Sequence, residues 1–538
     1  MPKFTLNDQE MEAKPGQTII QAAQDQGVEI PHYCYHPDLP IDGNCRMCLV
    51  EVEKMPKLTP ACTTVVSDGM IVRSNNDRVK MAVRGVLEFL LINHPVDCPV
   101  CDQAGECRLQ DYYMVYGLHT SEIPLELKVR KRKVVDLGEM VVLDQERCVL
   151  CSRCIRFFNN VTGTGEMQFF GRGDHVAIGT FEDRPLENPY SGNVVDICPV
   201  GALTSRDFRF KCRVWFLHST DSVCGGCSTG CNVRIDHRDG TIFRMIPRRN
   251  TEVNKSWLCD EGRMSFHELE RGERVTRPVM KGRDQIQAPV SWEEAARSVD
   301  AKLKEVSRAS GADSILGFAS ASATNEALFL FKRYVGEQLG SNQFEFRLDS
   351  EDGRVTEKED EVLRHLDKHP NSMGAMILGL ASNELGGVEG AIRAARDGKL
   401  KAGVIIYFDP LVPRAGDKEA EARMAELVRA LEYSVVLAAR KADWHSAASC
   451  VLPVAWWSEE DGTYTNYQGR VQIADKAVEP GGDILPVWEV FAMLLHASGA
   501  SSTWMSADDV FNSMIEGVAA YRHIAPEQRR LPGVLATP

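Results

Sequence analysis

The stretch YCYHPDLPIDGNCRMCLVEV, residues 33 to 52, contains three cysteines, and PACTT at 60 to 64 adds a fourth. These cysteines are Cys34, Cys45, Cys48 and Cys62. The N-terminal MPKFTLNDQE lacks the basic-then-apolar plan of a secretory signal, which predicts a protein that begins here in a reducing cytoplasm. Disulfides are disfavoured there, and tightly grouped thiols are better suited to a metal. The stretch therefore predicts a metal centre.

The spacing of this first set favours one kind of centre. A leading cysteine, a C-x2-C pair and a distant fourth cysteine hold a [2Fe–2S] cluster in plant-type ferredoxins. Ten residues separate the first two cysteines here instead of four, so the loop is longer but the plan is kept. Residues 3 to 31 predict a hairpin that turns near LNDQ and a helix from Thr18 to about Gln26. Together these features predict a ubiquitin-like ferredoxin domain.

Length and composition describe an ordinary multidomain chain. Its 538 residues predict three to five domains, and no apolar run reaches the roughly 20 residues of a membrane-spanning helix. The net charge of −14 argues against nucleic-acid binding, which needs clustered cations. KVRKRK at 128 to 133 is a local exception. We interpret it as a solvated edge or linker, with docking on an acidic partner as the less favoured alternative.

A second set lies in NHPVDCPVCDQAGEC, residues 93 to 107. It contains Cys98, Cys101 and Cys107 but no fourth cysteine nearby. A lone histidine is more often a surface residue than a ligand, but the empty fourth position reverses that expectation for His94. An imidazole in place of a thiolate removes one negative charge from a cluster, which by itself raises the reduction potential. We therefore predict that His94 is the fourth ligand.

The third set begins with RCVLCSRC, which contains Cys148, Cys151 and Cys154. Three cysteines at C-x2-C-x2-C spacing are typical of [4Fe–4S] proteins, whose fourth cysteine precedes a proline. GNVVDICPVGALT supplies Cys198 before Pro199, after 43 intervening residues. Because such a cysteine can ligate a cluster whose other ligands lie elsewhere in the chain, the separation is no objection.

The fourth set consists of Cys224, Cys227, Cys231 and Cys259. Four cysteines in two knuckles also suit tetrahedral zinc, and zinc would be preferred if this set stood alone. The three neighbouring sets favour iron and sulfur. Fifteen of the 17 cysteines are then assigned, which leaves Cys212 and Cys450 as small buried hydrophobic residues.

These motifs, in this order, closely resemble the large iron–sulfur subunit family of respiratory complex I, the NADH:quinone oxidoreductase, over about residues 1 to 270. The resemblance implies a [2Fe–2S] cluster in the first set and [4Fe–4S] clusters on the electron path in the second and third. It implies an additional off-path [4Fe–4S] cluster in the fourth, a set present in some bacterial members. A bacterial rather than a mitochondrial enzyme is therefore expected.

The second half resembles the molybdopterin oxidoreductases, through SWEEAARSVDAKLKEV at 291 to 306 and VLPVAWWSEEDGTYTNYQGRVQ at 451 to 472. DSILGFAS, GAMILGL, AGVIIYFD and YSVVLAA independently predict strands of a parallel sheet among helices. Formate dehydrogenases of that superfamily carry a cysteine or selenocysteine ligand near the position where this chain has Asp349. The domain that would close the pterin site is absent from the pattern. We therefore expect no molybdenum or pterin and a structural role.

The expected fold class is multidomain α+β and α/β. The expected domains are a [2Fe–2S] ferredoxin-type domain at 1–78, a [4Fe–4S] domain with His94 at 79–118, a [4Fe–4S] ferredoxin-like domain at 138–216, a [4Fe–4S] molybdopterin-oxidoreductase-type domain at 217–273 and the non-catalytic α/β domain at 274–538.

The expected function is electron conduction without a complete active site on this chain. No G-x-G-x-x-G follows a strand at a helix start, so no nicotinamide or flavin site is predicted. The resemblance implies partners in the peripheral arm, including a flavin-bearing NADH-oxidising subunit, and a location on the cytoplasmic face of the bacterial inner membrane, with membrane contact only through partners. Two alternatives remain open: the large subunit of an NAD-linked formate dehydrogenase or hydrogenase, and a zinc-stapled scaffold.

Overall fold

The structure is a computed structural model that describes residues 1–117, 123–270, 272–348, 352–381, 385–408, 417–501 and 504–536. The chain forms two compact units, Met1–Leu217 and His218–Pro538. Within the described ranges, no helix has both the length and the apolar character that a membrane crossing requires. Asp349, considered above as a metal ligand, lies outside the described residues.

Unit 1 opens with a five-stranded sheet and a short helix. The elements are β1 (Lys3–Leu6), β2 (Gln9–Glu12), α1 (Ile19–Asp25), β3 (Leu49–Val52), β4 (Thr59–Pro60) and β5 (Met70–Arg73). The strand order is β2-β1-β5-β3-β4, with β1 and β5 parallel. Asn7 and Asp8 both have positive φ, as a tight hairpin turn requires. The predicted ferredoxin-type hairpin and helix are confirmed.

The first cysteine set is part of this domain's core. Thr18 precedes α1 and its N–H donates to Gln21 Oε1 at 2.9 Å, which caps the helix. The apolar face of α1 packs on the sheet, and Cys48 and Cys62 belong to the same buried cluster as Ile19. Two of the four thiols are therefore fixed by core packing, not by loop conformation alone.

The rest of unit 1 places the second and third sets. Its elements are α2 (Asp77–Leu91), α3 (Arg108–Tyr116), β6 (Val135–Asp136), β7 (Val141–Leu143), α4 (Arg153–Asn160), β8 (Met167–Phe170), β9 (Ala177–Thr180), α5 (Asn193–Asp196) and β10 (Leu203–Ser205). β10 pairs antiparallel with β7, with Leu203 opposite Leu143. Because Cys198 precedes β10 and Cys148 follows β7, this pairing brings the two distant parts of the third set together.

Unit 2 begins with a three-stranded sheet of β11 (His218–Val223), β12 (Asn232–Arg238) and β13 (Thr241–Pro247), followed by α6 (Asp260–Met264). The loop between β11 and β12 contains three cysteines of the fourth set. Cys224 N–H donates to Cys231 O at 2.8 Å, which closes the loop. Cys259 is the N-cap residue of α6.

A larger α/β layer follows. Its elements are β14 (Val279–Lys281), β15 (Gln287–Pro289), α7 (Trp292–Ser310), β16 (Ile315–Phe318), α8 (Asn325–Lys332), β17 (Phe344–Glu345), α9 (Ser372–Ile377), α10 (Val388–Arg396), β18 (Ala402–Tyr407), α11 (Asp417–Ala430), β19 (Tyr433–Ala438), β20 (Cys450–Pro453), β21 (Gly462–Thr465), β22 (Arg470–Ala474), α12 (Val487–Ala497), α13 (Ala507–Gly517) and β23 (Val534–Leu535). Strands β17, β16, β18, β19 and β20 are parallel neighbours in a seven-stranded sheet, and β14 and β15 form its antiparallel edge.

Three of the four strand predictions in this layer are confirmed, and one is wrong. The sequence predicts a strand at GAMILGL, but α9 begins at Ser372 and ends at Ile377. Gly374, Ala375 and Leu378 are buried while Met376 is exposed, which is helical periodicity. A short apolar run cannot distinguish a buried strand from a buried helix without this pattern.

Two carboxyl groups are buried in this layer. Burial raises the pKa of Glu326 to about 7, although Thr463 donates to it through N–H and Oγ1, each at 2.8 Å. Burial likewise raises the pKa of Glu460 to about 8, although its Oε2 accepts from Val487 N–H at 3.0 Å. Each acid therefore favours its neutral form in the folded protein.

We predict that Glu460→Gln increases stability at alkaline pH. The folded state binds more protons than the unfolded state between pH 4.5 and about 8, so unfolding becomes easier as pH rises through this window. Removing the titration should add on the order of a few kcal/mol at pH 8 to 9 and flatten the pH dependence. Denaturant unfolding across pH 5 to 9 measures this. Glu479→Gln, at an exposed position, is the control, and parallel curves for Glu460→Gln and wild type would contradict the prediction.

Candidate metal centres

The first set forms two adjacent pairs of thiols. Cys34 N–H donates to Cys45 Sγ at 3.4 Å. Side-chain hydrogen bonds join the thiol of Cys34 to those of Cys45 and Cys62, and the thiol of Cys48 to that of Cys62. These contacts lower the pKa of Cys34 and raise those of Cys45 and Cys62. Pairs of neighbouring thiols suit two bridged irons, each of which takes two cysteines.

The second set is built from one helical turn and a helix start. Cys101 N–H donates to Cys98 O at 3.1 Å, and Cys107 is the N-cap residue of α3. Burial raises the pKa of Cys101 and raises that of Cys107 to about 12. Without a cation, these thiols are protonated at neutral pH, so a bound metal would have to displace their protons.

His94 is half-buried and neutral. Burial lowers the pKa of His94 to about 4, and the charge of Arg147 adds to this effect. Arg147 is paired with Asp97 at 2.9 Å, and this ion pair acts on both His94 and Cys101. A neutral imidazole has a free lone pair, which is the state that a metal ligand needs.

The basic stretch 128–133 is an internal strap, and our interpretation of it as a solvated edge is wrong for most of its cations. Lys128 Nζ donates to His94 O at 2.7 Å and to Leu91 O at 2.8 Å. Lys133 Nζ lies 2.7 Å from a carboxylate oxygen of buried Glu146. The strap therefore supports the segment that carries His94.

The third set lines a cavity of about 320 Å³. All four of its cysteines, Cys148, Cys151, Cys154 and Cys198, face this space. Burial raises the pKa of Cys151 to about 11 and also raises that of Cys198. Backbone hydrogen bonds from Val200, Ala202 and Leu203 oppose the rise at Cys198. Such bonds to sulfur are the contacts that stabilise thiolate ligands of a cluster.

The second and third sets touch each other. A Cβ at Gly201 would collide with the Sγ of Cys101, so only glycine allows this approach. Arg108 N–H, next to Cys107, donates to Pro199 O at 3.1 Å. The Cys-Pro segment therefore serves the third set with its thiol and the second set with its backbone.

The first and third sets also adjoin. Asn44, beside Cys45, donates through Nδ2 to the carbonyl of Leu150, beside Cys151, at 3.3 Å. The three sets of unit 1 are thus linked by direct contacts between their ligand-bearing loops.

The fourth set lines a second cavity of about 320 Å³ with its four cysteines. Burial raises the pKa of Cys224 to about 12. A Cβ at Gly262 would lie 2.9 Å from Cys224 Sγ, so the helix start is pressed against the thiols. Arg364 and Lys368 line the same cavity, and Glu261 lies 2.8 Å from Arg364 and 3.8 Å from Lys368. Both cations lie about a hundred residues from the cysteines, and no local motif indicated them.

The fourth set is too widely spaced for one zinc ion. In the described parts of the chain, the group of three or more His, Cys, Asp or Glu ligand atoms within 4.8 Å of one another is Asp352, Asp367 and His369, which contains no cysteine. Tetrahedral zinc with sulfur ligands needs sulfur atoms about 3.8 Å apart. The cysteine cavities therefore fit a polynuclear cluster better than a single ion.

The Asp352, Asp367 and His369 group is a buried ion cluster that sequence reasoning missed. His369 Nδ1 lies 3.3 Å from Asp352 Oδ1 and 3.2 Å from Asp367 Oδ1. Burial opposes protonation of His369, but the two carboxylates outweigh it and raise the pKa to about 10. Asp367 O accepts from Ser228 N–H at 2.9 Å, so this cluster anchors the loop of the fourth set.

Protein families match these regions one by one. A 2Fe-2S iron-sulfur cluster binding domain matches residues 2–77, and the NADH-ubiquinone oxidoreductase-G iron-sulfur binding region matches 84–122. The ferredoxin-like domain of NADH-quinone oxidoreductase subunit 3 matches 138–204, and an NDSU1/NuoG-like 4Fe-4S domain matches 217–267. Molybdopterin oxidoreductase matches 274–385 and 355–497.

Named relatives agree with these families. The NADH-ubiquinone oxidoreductase 75 kDa subunit of Reclinomonas americana is 40% identical over 67% of this chain and 51% of its own length. The NADH-ubiquinone oxidoreductase 78 kDa subunit of Candida albicans is 39% identical over 63% of this chain and 46% of its own. The NADH dehydrogenase [ubiquinone] iron-sulfur protein 1 of Solanum tuberosum is 41% identical over 61% and 43%.

The fold and the matched families define a multidomain iron–sulfur protein with a molybdopterin-oxidoreductase-type second half. Within that class, the chain is a homologue of the 75 kDa iron–sulfur subunit of NADH-quinone oxidoreductase. It spans about half the length of these relatives.

We predict that Gly201→Ala disrupts the second centre. The added methyl group would displace Cys101, so the iron content should fall and the loss should lie in the His94-containing set. Iron and labile-sulfide assays with low-temperature EPR measure this. Gly85→Ala is the matched control, because a Cβ there meets nothing within 4 Å. Full cluster occupancy in Gly201→Ala would contradict the prediction.

Proposed function

We propose that this chain is an electron-conducting subunit of the peripheral arm of an NADH:quinone oxidoreductase. It accepts electrons from a flavin-bearing NADH-oxidising subunit and passes them toward quinone, coupled in the whole complex to proton translocation. The proposal includes a location on the cytoplasmic face of a bacterial inner membrane, with contact to the membrane through partner subunits.

The proposed ligands are the four sets as predicted. Cys34, Cys45, Cys48 and Cys62 hold a [2Fe–2S] cluster; His94, Cys98, Cys101 and Cys107 hold a [4Fe–4S] cluster; Cys148, Cys151, Cys154 and Cys198 hold a second; Cys224, Cys227, Cys231 and Cys259 hold a third. Bound clusters would supply reversible one-electron transfer. The chain's own part is to fix spacing, exclude water and place charge.

The contacts between ligand loops carry this proposal. Conduction needs consecutive centres separated by only a few residues of protein. Gly201 against Cys101 and Asn44 against Leu150 supply such contacts in both directions from the third set. A scaffold that only needed stapling would gain nothing from grouping three ligand sets in this way.

We propose further that residues 274–538 bind no molybdenum or pterin and support the fourth set. The contact of Asp367 O with Ser228 N–H and the lining of the cysteine cavity by Lys368 support this role. The five-domain division given above remains part of the proposal. Metal analysis of the purified chain tests it: stoichiometric molybdenum or tungsten would contradict it and favour a formate-dehydrogenase-like enzyme.

We predict that the anaerobically purified chain contains iron and labile sulfide for one [2Fe–2S] and three [4Fe–4S] clusters. Low-temperature EPR of the reduced protein should show one [2Fe–2S] signal and up to three [4Fe–4S] signals. Bound zinc with near-zero sulfide would instead support a scaffold. A chain without any [4Fe–4S] signal would refute conduction along this path.

We predict that His94→Cys shifts the potential of one [4Fe–4S] signal to a more negative value and changes its line shape, because a thiolate adds negative charge to the cluster. His94→Ala should lose that signal. The control is His175→Cys, whose histidine side chain is 78% exposed. An unchanged signal in His94→Cys would show that His94 does not ligate iron.

A further inference from the structure

The first and third sets are joined by two arginines on one short helix. Arg153 and Arg156 lie one turn apart on α4, which also contains Cys154. Arg153 is buried and Arg156 is half-buried. We call this pair the arginine clasp.

Arg156 binds both ligand loops directly. It donates through Nη2 to the carbonyl of Cys34 and, at 3.3 Å, to the carbonyl of Cys151. Its Nη1 donates to Pro40 O and its Nε donates to Ser152 Oγ at 2.9 Å. A guanidinium has five N–H donors in a fixed plane, so one side chain can hold two loops in register.

Arg153 repeats this arrangement one turn earlier. Its Nη2 donates to the carbonyl of Tyr35, next to Cys34, and its Nη1 donates to Ile197 O, next to Cys198, at 3.0 Å. The clasp therefore contacts residues at or beside a ligand of the first set and both parts of the third set.

The third loop depends on the first for its conformation. Leu150 and Ser152 have positive φ, 52° and 61°, which costs a non-glycine residue on the order of 1 kcal/mol each. Asn44 donates to Leu150 O, and Ser152 Oγ donates to Asp42. These contacts from the first loop, together with Arg156, offset the cost and fix the third loop.

The clasp also brings positive charge to both sets. Its hydrogen bonds go to neutral carbonyls and one hydroxyl, and within the described chain neither guanidinium forms an ion pair with a carboxylate. The charge of Arg153 favours thiolate at Cys151, and the charge of Arg156 favours thiolate at Cys34. A nearby cation stabilises the reduced, more negative form of a cluster and so raises its potential.

We propose that Arg153 and Arg156 are positioning residues that fix the contact between the first and third sets and set the reduction potentials of both centres. Arg156 acts mainly on the first set and Arg153 mainly on the third. This inference rests on the proposed function, because it needs clusters in both sets.

The test is EPR-monitored redox titration of the full chain with its clusters. Arg156→Met should shift the [2Fe–2S] potential to a more negative value, and Arg153→Met should do the same for the third-set signal. The expected size is roughly a tenfold change in the equilibrium of electron exchange between the two centres, which is 59 mV for one electron. Arg156→Lys keeps the charge and should restore most of the shift.

Arg206→Met is the matched control, because Arg206 also donates to a carbonyl, that of Gly138, but its hydrogen bonds reach no ligand loop. If Arg156→Met loses the first- and third-set signals together while Arg206→Met keeps them, the positioning role stands. Unchanged potentials in both methionine variants with clusters present would overturn the clasp alone. Wild-type protein without cluster signals would overturn the proposed function and the clasp together.

Discussion

The contact between Gly201 and Cys101 is the constraint on which unit 1 depends. A side chain at residue 201 would push Cys101 away, and the antiparallel pairing of β10 with β7 fixes where residue 201 lies. The same segment contains Cys198, whose thiol faces the other centre. Because one short stretch serves two ligand sets, neither set can move without the other, and unit 1 packs around that shared segment.

Charge balance explains the long-range features of the sites. Thiols in a protein interior resist ionisation, as the raised pKa values of Cys107, Cys151 and Cys224 show. Cations beside the ligands reduce that cost, since the interior screens charge weakly. Arg147, Arg153 and Lys368 each lie beside a different set. None of them belongs to a motif, yet together they determine how much negative charge each site tolerates.

Local sequence patterns predict the elements whose structure is decided locally. The hairpin at β1 and β2 follows from two residues that tolerate positive φ, and α1 follows from its capping residues. Spacing groups the cysteines into sets, and the structure gathers the third and fourth sets around single cavities. Patterns fail where tertiary context decides: residues 372–377 form a helix, the basic strap is bound internally, and Cys212 is only half-buried while Cys450 is fully buried.

The sequence by itself determined which atoms can ligate metal and in what order, because donor type and short spacing are properties of the chain. Only the tertiary structure decided which sets touch, which cations face them and which acids lose their charge. Those properties depend on contacts between residues such as Arg156 and Cys34, more than a hundred positions apart. Such contacts form when burial of apolar surface brings distant segments together, and no local pattern encodes that partner choice.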